Sequence, residues 1–359
     1  MSRIKSLLLL FALAQLPLAS AKTVTYAVGT CEPKLASFTT ISSALAATPP
    51  PNVVEVCPGT YKEQILITFP VTLEGVSVGN SDQAIIAPPP AGLVINAYDD
   101  RGDDLAAQVV VQNAGGEVNL TNLTVDATGN DIIGRSIAIV GVFYQNTPGT
   151  VNRVTIQNQN GNSEGIGIWL EGGSANPSVT MENSNVQNFD FGGIYAETES
   201  STSELTATIK ENDLASGYNG ANGILFLFGL TASVTDNLIN GGTGGMLIYG
   251  GNITVSRNTI VSADLGIDIE NDSISVTSNT IYNTATGTGT GIVANSAVAP
   301  VTGNTMVRFP TGIDFKCTAG NNVHSNTILV APNGLLNVPT GTVTPNTYYN
   351  VGTMSSGGC

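Results

Sequence analysis

One short phrase, returning at nearly even spacing through the second half of the chain, constrains the fold more than any other feature. It reads V-T-D-N-L-I from Val234, V-S-R-N-T-I from Val255, V-T-S-N-T-I from Val276, V-T-G-N-T-M from Val301 and V-H-S-N-T-I from Val323. An earlier copy, I-K-E-N-D-L, starts at Ile209, and a worn last one, V-T-P-N-T-Y, at Val343. The asparagines fall at 212, 237, 258, 279, 304, 326 and 346, in steps of 20 to 25 residues. A repeat this short cannot bury its own apolar side, so successive copies must stack as a solenoid. Within each copy, apolar positions flank a polar pair and then Asn, which suits a strand, a tight corner and a second strand. Asn tolerates the left-handed backbone of a tight corner, and its amide both donates and accepts. Stacked at one corner, the amides are expected to bond to one another along the axis as a structural ladder.

A second phrase, Gly-Ile-x-apolar, runs in phase with the first. It appears as G-I-W-L-E at Gly167, G-I-Y-A-E at Gly193, G-I-L-F-L at Gly223, G-M-L-I-Y at Gly245 and G-I-D-I-E at Gly266. It continues as G-I-V-A-N at Gly291, G-I-D-F-K at Gly312 and G-L-L-N-V at Gly334. The alternation has period two, so each is a strand with Ile and the next apolar residue turned inward. Every coil then carries at least three short strands.

This arrangement resembles the right-handed parallel β-helix of the pectin lyase-like superfamily, whose coils are about this long and often carry an Asn ladder. The resemblance implies an all-β chain, a single-stranded right-handed parallel β-helix with an N-terminal capping helix. One such fold hosts many functions, so it implies no activity.

Met1 to Ala21 reads as a secretory signal peptide: Arg3 and Lys5, an apolar run from Leu7 to Leu16, then small residues with Ala19 and Ala21 in an A-x-A end. The helix domain is therefore expected over residues 22–359, with no membrane span and an extracellular, periplasmic or cell-surface location. The formal net charge of −15 becomes −17 without Arg3 and Lys5. Such a surface excludes nucleic acid as a partner and repels anionic glycans unless a cation such as calcium bridges the charges. The four cysteines pair by position as Cys31 with Cys57 and Cys317 with Cys359, and export permits disulfides that would staple the two ends.

Phe38 to Ala47 places Phe38, Ile41 and Leu45 on one helical face, with Pro49 to Pro51 as the stop, and is expected to cover the first coil. The succeeding stretch, C-P-G-T-Y-K-E-Q-I-L-I then V-T-L-E-G, is similar to the opening of pectin methylesterases. The motifs that carry their catalytic aspartates and arginine, Q-D-T-L, D-F-I-F-G and L-G-R-P-W, are missing, so esterase activity is not carried over. The acidic run Y-D-D-R-G-D-D from Tyr98 departs from the period and reads as a solvated loop. A calcium loop using Asp99, Asp100, Asp103 and Asp104 is the sharper alternative.

In the resembling superfamily, polysaccharide lies along the outer face of one strand per coil. If the Gly-Ile strand is that one, alternation turns outward Trp169 and Glu171, Tyr195 and Glu197, Leu225 and Leu227, Leu247 and Tyr249. Asp268 and Glu270, Val293 and Asn295, Asp314 and Lys316, Leu336 and Val338 come next. Aromatic faces beside acids suit a sugar groove, which makes Trp169, Tyr195, Tyr249 and Asn295 the candidate substrate-binding residues. Glu171, Glu197, Asp268, Glu270, Asp314 and Lys316 are the candidate catalytic ones. With coils ~4.8 Å apart, Glu171 and Glu197 fall near the ~5 Å separation of a retaining glycosidase pair. Asp268 and Asp314, two coils apart at about 9.6 Å, fall near the ~6.5 to 9.5 Å of an inverting pair. The polygalacturonase set (N-T-D, D-D, G-H-G, R-I-K) and the pectate lyase W-I-D-H phrase are absent, and the sole histidine, His324, reads as a corner residue. A lyase with Lys316 as base and calcium on Asp268, Glu270 and Asp314 is a further expectation. Two classes stand: a secreted protein that engages polysaccharide along this face, cleaving it as hydrolase or lyase, and a non-catalytic surface or structural module that adheres to glycan.

Overall fold

The computed structural model describes residues 23–77, 83–130, 137–161, 164–198, 204–218, 220–226, 230–262, 264–270, 274–285, 287–295, 300–317, 322–339 and 345–358. The expected signal peptide, Leu227 and Cys359 lie outside them, as do the side chains of Leu225 and Phe226.

The strands stack as the period predicts. Those that precede each corner, from Val118–Thr121 to Asn322–His324, continue a sheet begun by Ala36–Phe38 and Thr25–Val28, 13 strands in all and paired in parallel. The strand after the corner and the Gly-Ile strand each pair with their counterparts one coil on, as Thr259–Ser262 does with Thr280–Asn283 and Leu265–Glu270 with Thr290–Asn295. One apolar core fills the inside of the stack. Val255, Ile260, Ile267, Val276, Ile281 and Ile292 are all fully buried there. The Ile of the Gly-Ile phrase points inward as alternation requires.

The ladder forms, and it supplies the polar bonds of the corner. Asn258 Nδ2 donates to Asn279 Oδ1 (3.0 Å) and back to Val234 O (3.0 Å), while the Asn258 backbone N–H shares the same Asn279 oxygen (2.9 Å). The same pattern links Asn212, Asn237, Asn258, Asn279, Asn304, Asn326 and Asn346. Upstream a hydroxyl takes over: Ser184 N donates to Asn212 Oδ1 (3.0 Å), and Val154 N donates to Ser184 Oγ (3.1 Å). The left-handed backbone expected of the asparagines belongs instead to the residue before each from Asn212 to Asn326. Glu211, Asp236, Arg257, Ser278, Gly303 and Ser325 have φ between +57° and +69°. That residue makes the turn, which aims the following amide into the core along the axis.

The glycines of the second phrase form a seam of close approach. A Cβ on Gly167 would stand 2.6 Å from Gly193 O, and one on Gly266 would stand 2.3 Å from Gly291 O. Each coil crosses the next here with no room for a side chain. The alternation also breaks at the seam: Ile166 joins an outer apolar cluster with Trp169, whereas Ile168 and Leu170 join the inner core.

At the N-terminus the expected helix shrinks to one turn, Ile41–Leu45, capped by Thr40 and by Glu63, whose carboxylate accepts Ile41 N (2.8 Å) and Ser42 N (2.9 Å). Phe38 is not in it but ends the strand Ala36–Phe38. Cys31 and Cys57 form a disulfide beside this turn, Cys317 is also disulfide-bonded, and no described cysteine is free. No described helix is long and apolar enough to cross a membrane.

Replacing Asn258 or Asn279 by Ala strands the backbone N–H of the preceding coil and is expected to cost on the order of 1 to 3 kcal/mol. Equilibrium urea unfolding of each variant beside the wild type checks this.

Candidate functional site

Parallel register places the outward residues of the Gly-Ile strands in one file. Phe143, Trp169, Tyr195, Leu225, Leu247, Asp268, Val293, Asp314 and Leu336 occupy successive coils at the same strand position. Two residues further along each strand, Gln145, Glu171 and Glu197 form a second file, and Glu270 pairs with Asn295 in the same relation.

The file is not the exposed stripe that alternation suggests. Trp169 is 4% exposed, Tyr195 6%, Glu171 1% and Glu197 1%. They are buried outside the barrel, not within it, because a hairpin folds back over them. Ala97–Tyr98 pairs antiparallel with the start of Asp104–Gln112, and the run expected to be a solvated loop is the turn of that hairpin. Asp99, itself buried, holds the turn together by accepting Arg101 N (3.0 Å) and Asp103 N (2.7 Å), and Gly102 supplies the positive φ. Beneath the hairpin Trp169 packs edge-on against Phe143 (5.7 Å) and Tyr195 (4.7 Å).

Arg101 fastens the hairpin to the coils. Its guanidinium bridges Asp99 Oδ2 (3.1 Å) and both oxygens of Glu197 (3.2 Å each), a carboxylate 96 residues away in the chain. Tyr195 donates its hydroxyl to Glu197 as well (3.3 Å), and Gln145 Nε2 reaches both Glu171 Oε1 (2.9 Å) and Tyr98 O (3.1 Å). Arg101 is the residue that sequence reasoning missed. A lone cation inside an acidic run carries no periodic signal.

The two neighbouring glutamates consequently sit in opposite environments. Glu197 has a cation; Glu171 has none. Burial, then the adjacent Asp100 and Glu197 carboxylates, push Glu171 up to about 9 against the opposing donation from Gln145. At neutral pH Glu171 is therefore a neutral acid beneath the hairpin.

Beyond Tyr195 the cover is partial: Leu247 and Asp268 are half-exposed, whereas Val293 and Asp314 are buried again. Asp268 is half-buried, with Oδ1 shielded from water and unpartnered. Burial, then Glu270 and Asp314, raise it to about 6 against Lys316 and the Ile269 N–H. Asp314, two coils on, is buried and lies below the ordinary carboxylate range despite desolvation. It accepts Lys316 N (3.0 Å), Lys316 Nζ (2.9 Å) and Asn337 Nδ2 (2.8 Å). Tyr249 and Glu270 flank this pair half-exposed, and Asn295 is exposed. Lys316 is thus the counter-ion of Asp314. Among the described residues no three His, Cys, Asp or Glu side chains are placed to hold a metal ion, and this covers Asp99, Asp100, Asp103 and Asp104 as well as Asp268, Glu270 and Asp314.

A family model described as a right handed beta helix region matches residues 164–328. No curated protein matches the chain in sequence. Among solved structures, the chain is similar to the GH136 lacto-N-biosidase of Eubacterium ramulus, with TM-score 0.58 and 10% identity, over 93% of this chain and 67% of that one. It is also similar to PfbA, a surface adhesin of Streptococcus pneumoniae, with TM-score 0.49 and 13% identity over 88% of each chain. A third neighbour is the alginate lyase of Paenibacillus sp. str. FPU-7, with TM-score 0.45 and 15% identity over 94% of this chain and 99% of that one. The fold is that of a right-handed parallel β-helix.

Because Glu171 is raised in the folded state, the stability its neutral form confers is complete below the ordinary glutamate range and drains away as pH climbs toward 9. Thermal unfolding from pH 5 to 9 should show the wild type losing ground steadily to Glu171→Gln, which cannot ionise. Parallel curves for the two proteins would mean that Glu171 is solvated.

Proposed function

We propose that this protein is exported and engages an extended polysaccharide along the open half of the outer file, from Leu247 and Tyr249 to Lys316. A parallel β-helix repeats one strand position every ~4.8 Å, which suits a ligand that is itself a linear repeat. The observation that carries the reading is the paired environment of Asp268 and Asp314: one carboxyl raised to about 6, its partner two coils away held ionised by Lys316 and Asn337. Two titratable groups pushed in opposite directions are what acid and base roles require. On this reading Asp268 protonates the departing glycosidic oxygen, Asp314 activates water on the opposite face, and the reaction inverts the anomeric centre. The one-turn helix at Ile41–Leu45 then serves as the N-terminal cap, and the Cys31–Cys57 disulfide fits a non-cytoplasmic location.

A non-catalytic adhesion module is the second reading, and one observation favours it. Asp314 accepts two hydrogen bonds and an ammonium ion, which weakens it as a base.

The test is a screen of purified protein against neutral and acidic polysaccharides, with and without calcium, for binding and for released product. Hydrolysis is expected to fall as pH rises above about 6, where Asp268 loses its proton. Asp268→Asn should abolish product release, by on the order of 100-fold or more, while leaving polymer binding in place. Binding without turnover at any pH would establish the adhesion reading, and absence of both would refute the whole proposal.

A further inference from the structure

The far end of the solenoid is finished differently from its start. Thr347–Gly358, the last strand, pairs in parallel with Thr327–Val338 and, among the described residues, with no strand on its other side. The inward positions change at the same place. Ile328, Ala331 and Leu335 are buried, whereas the residues aligned with them one coil on are Tyr348 and Val351, half-buried, and Ser355, exposed. Tyr349 is 61% and Met354 63% exposed on the same strand. The core thus ends uncovered here, while at the start Ile41, Ala44 and Leu45 of the one-turn helix are buried against the first coil.

An unpaired strand edge is a template for another strand, and chains that stay single block it with charge, proline or a cover. Residues 347–358 hold no proline and no charge. All 27 acidic and 12 basic residues of the chain lie at or before Lys316, so the last coil and the approach to it are free of both. Over the rest of its surface so acidic a chain repels a second copy. The neutral end is where two copies meet without that repulsion. The opposite end is no partner for it: the helix covers that end, and Lys34 and Lys62 stand exposed beside it. Lys62 closes the strand Gly59–Lys62, the first after the disulfide. Head-to-tail stacking, and with it a filament, is thereby blocked.

We infer that the C-terminal end of the solenoid docks a second copy of this chain, tail to tail, with the exposed edge of residues 351–356 pairing antiparallel to its own counterpart about a two-fold axis. Positive φ at Asn350 (+56°) and Gly357 (+72°) bends the strand at both limits of this segment and leaves 351–356 as its straight part. A two-fold needs only one self-complementary patch and closes at two chains. Each edge N–H and C=O then finds its partner in the same segment of the other copy, and Met354, near the middle, leaves water. The inference does not depend on polysaccharide binding.

Light scattering on the full chain as it elutes from a sizing column should give the mass of two chains, and dilution should return it toward one with no larger species at any concentration. Thr353→Lys with Ser355→Lys, both at exposed positions, sets like charges across the axis. The double variant should dissociate about 100-fold more readily or worse and elute with the mass of one chain. Leu66→Lys, at an exposed apolar position near the other end, should remain a dimer. Far-UV circular dichroism matching the wild type establishes that the double variant folds. Should it misfold, hydrogen exchange of the wild type decides, because the amides of residues 351–356 should exchange more slowly in concentrated than in dilute protein. A one-chain mass at every concentration, masses that climb without limit, a folded double variant that still dimerises, or exchange at 351–356 that ignores concentration overturns the inference.

Discussion

The asparagine ladder is the interaction on which the rest of the molecule depends. Each amide joins the coil after it, through an Asn oxygen at 3.0 Å, to a backbone carbonyl of the coil before it, so one buried residue per turn fixes the stacking of three coils. A parallel sheet has no intrinsic marker of register, and a slip of one residue would turn every inward Ile outward. A polar group that is satisfied in only one alignment removes that freedom, since any other alignment leaves it buried and unpaired. The glycine seam acts on the same coils by sterics, admitting close approach only where Gly faces Gly.

Once register is locked, function becomes a matter of position along a file. Trp169, Tyr195, Leu247, Asp268 and Asp314 are remote in sequence and adjacent in space because each holds the same place in its coil. What differentiates them is what lies on top. The Arg101 hairpin covers the first part of the file, dries it, and leaves Glu171 protonated beside an ion-paired Glu197. No described hairpin covers the later coils, and there Asp268 is raised and Asp314 lowered by their own neighbours.

How much of this was legible in the sequence depends on the range of each interaction. The coil, the inward Ile positions and the ladder from Asn212 onward are written in a local period and could be read directly. The ladder's continuation at Ser184 could not, because a hydroxyl replaces the amide and breaks the phrase. The outer file was legible as an alignment but not as a surface. Burial of Trp169 and Glu197 comes from a hairpin some 70 to 100 residues earlier, whose acidic composition reads as solvated turn. Nor does composition reveal that Asp99 spends its carboxylate on its own turn, or that Arg101 reaches Glu197.

The central claim is that one salt-bridged hairpin divides a continuous outer file into a sealed part and an open part. Acrylamide quenching of Trp169 in the wild type and in Arg101→Ala tests it most directly, because the protein has a single tryptophan. The account predicts a shielded indole that becomes quenchable, with red-shifted emission, once the Arg101–Glu197 contact is gone. Ready quenching of the wild type, or an indole as shielded without Arg101 as with it, would contradict it.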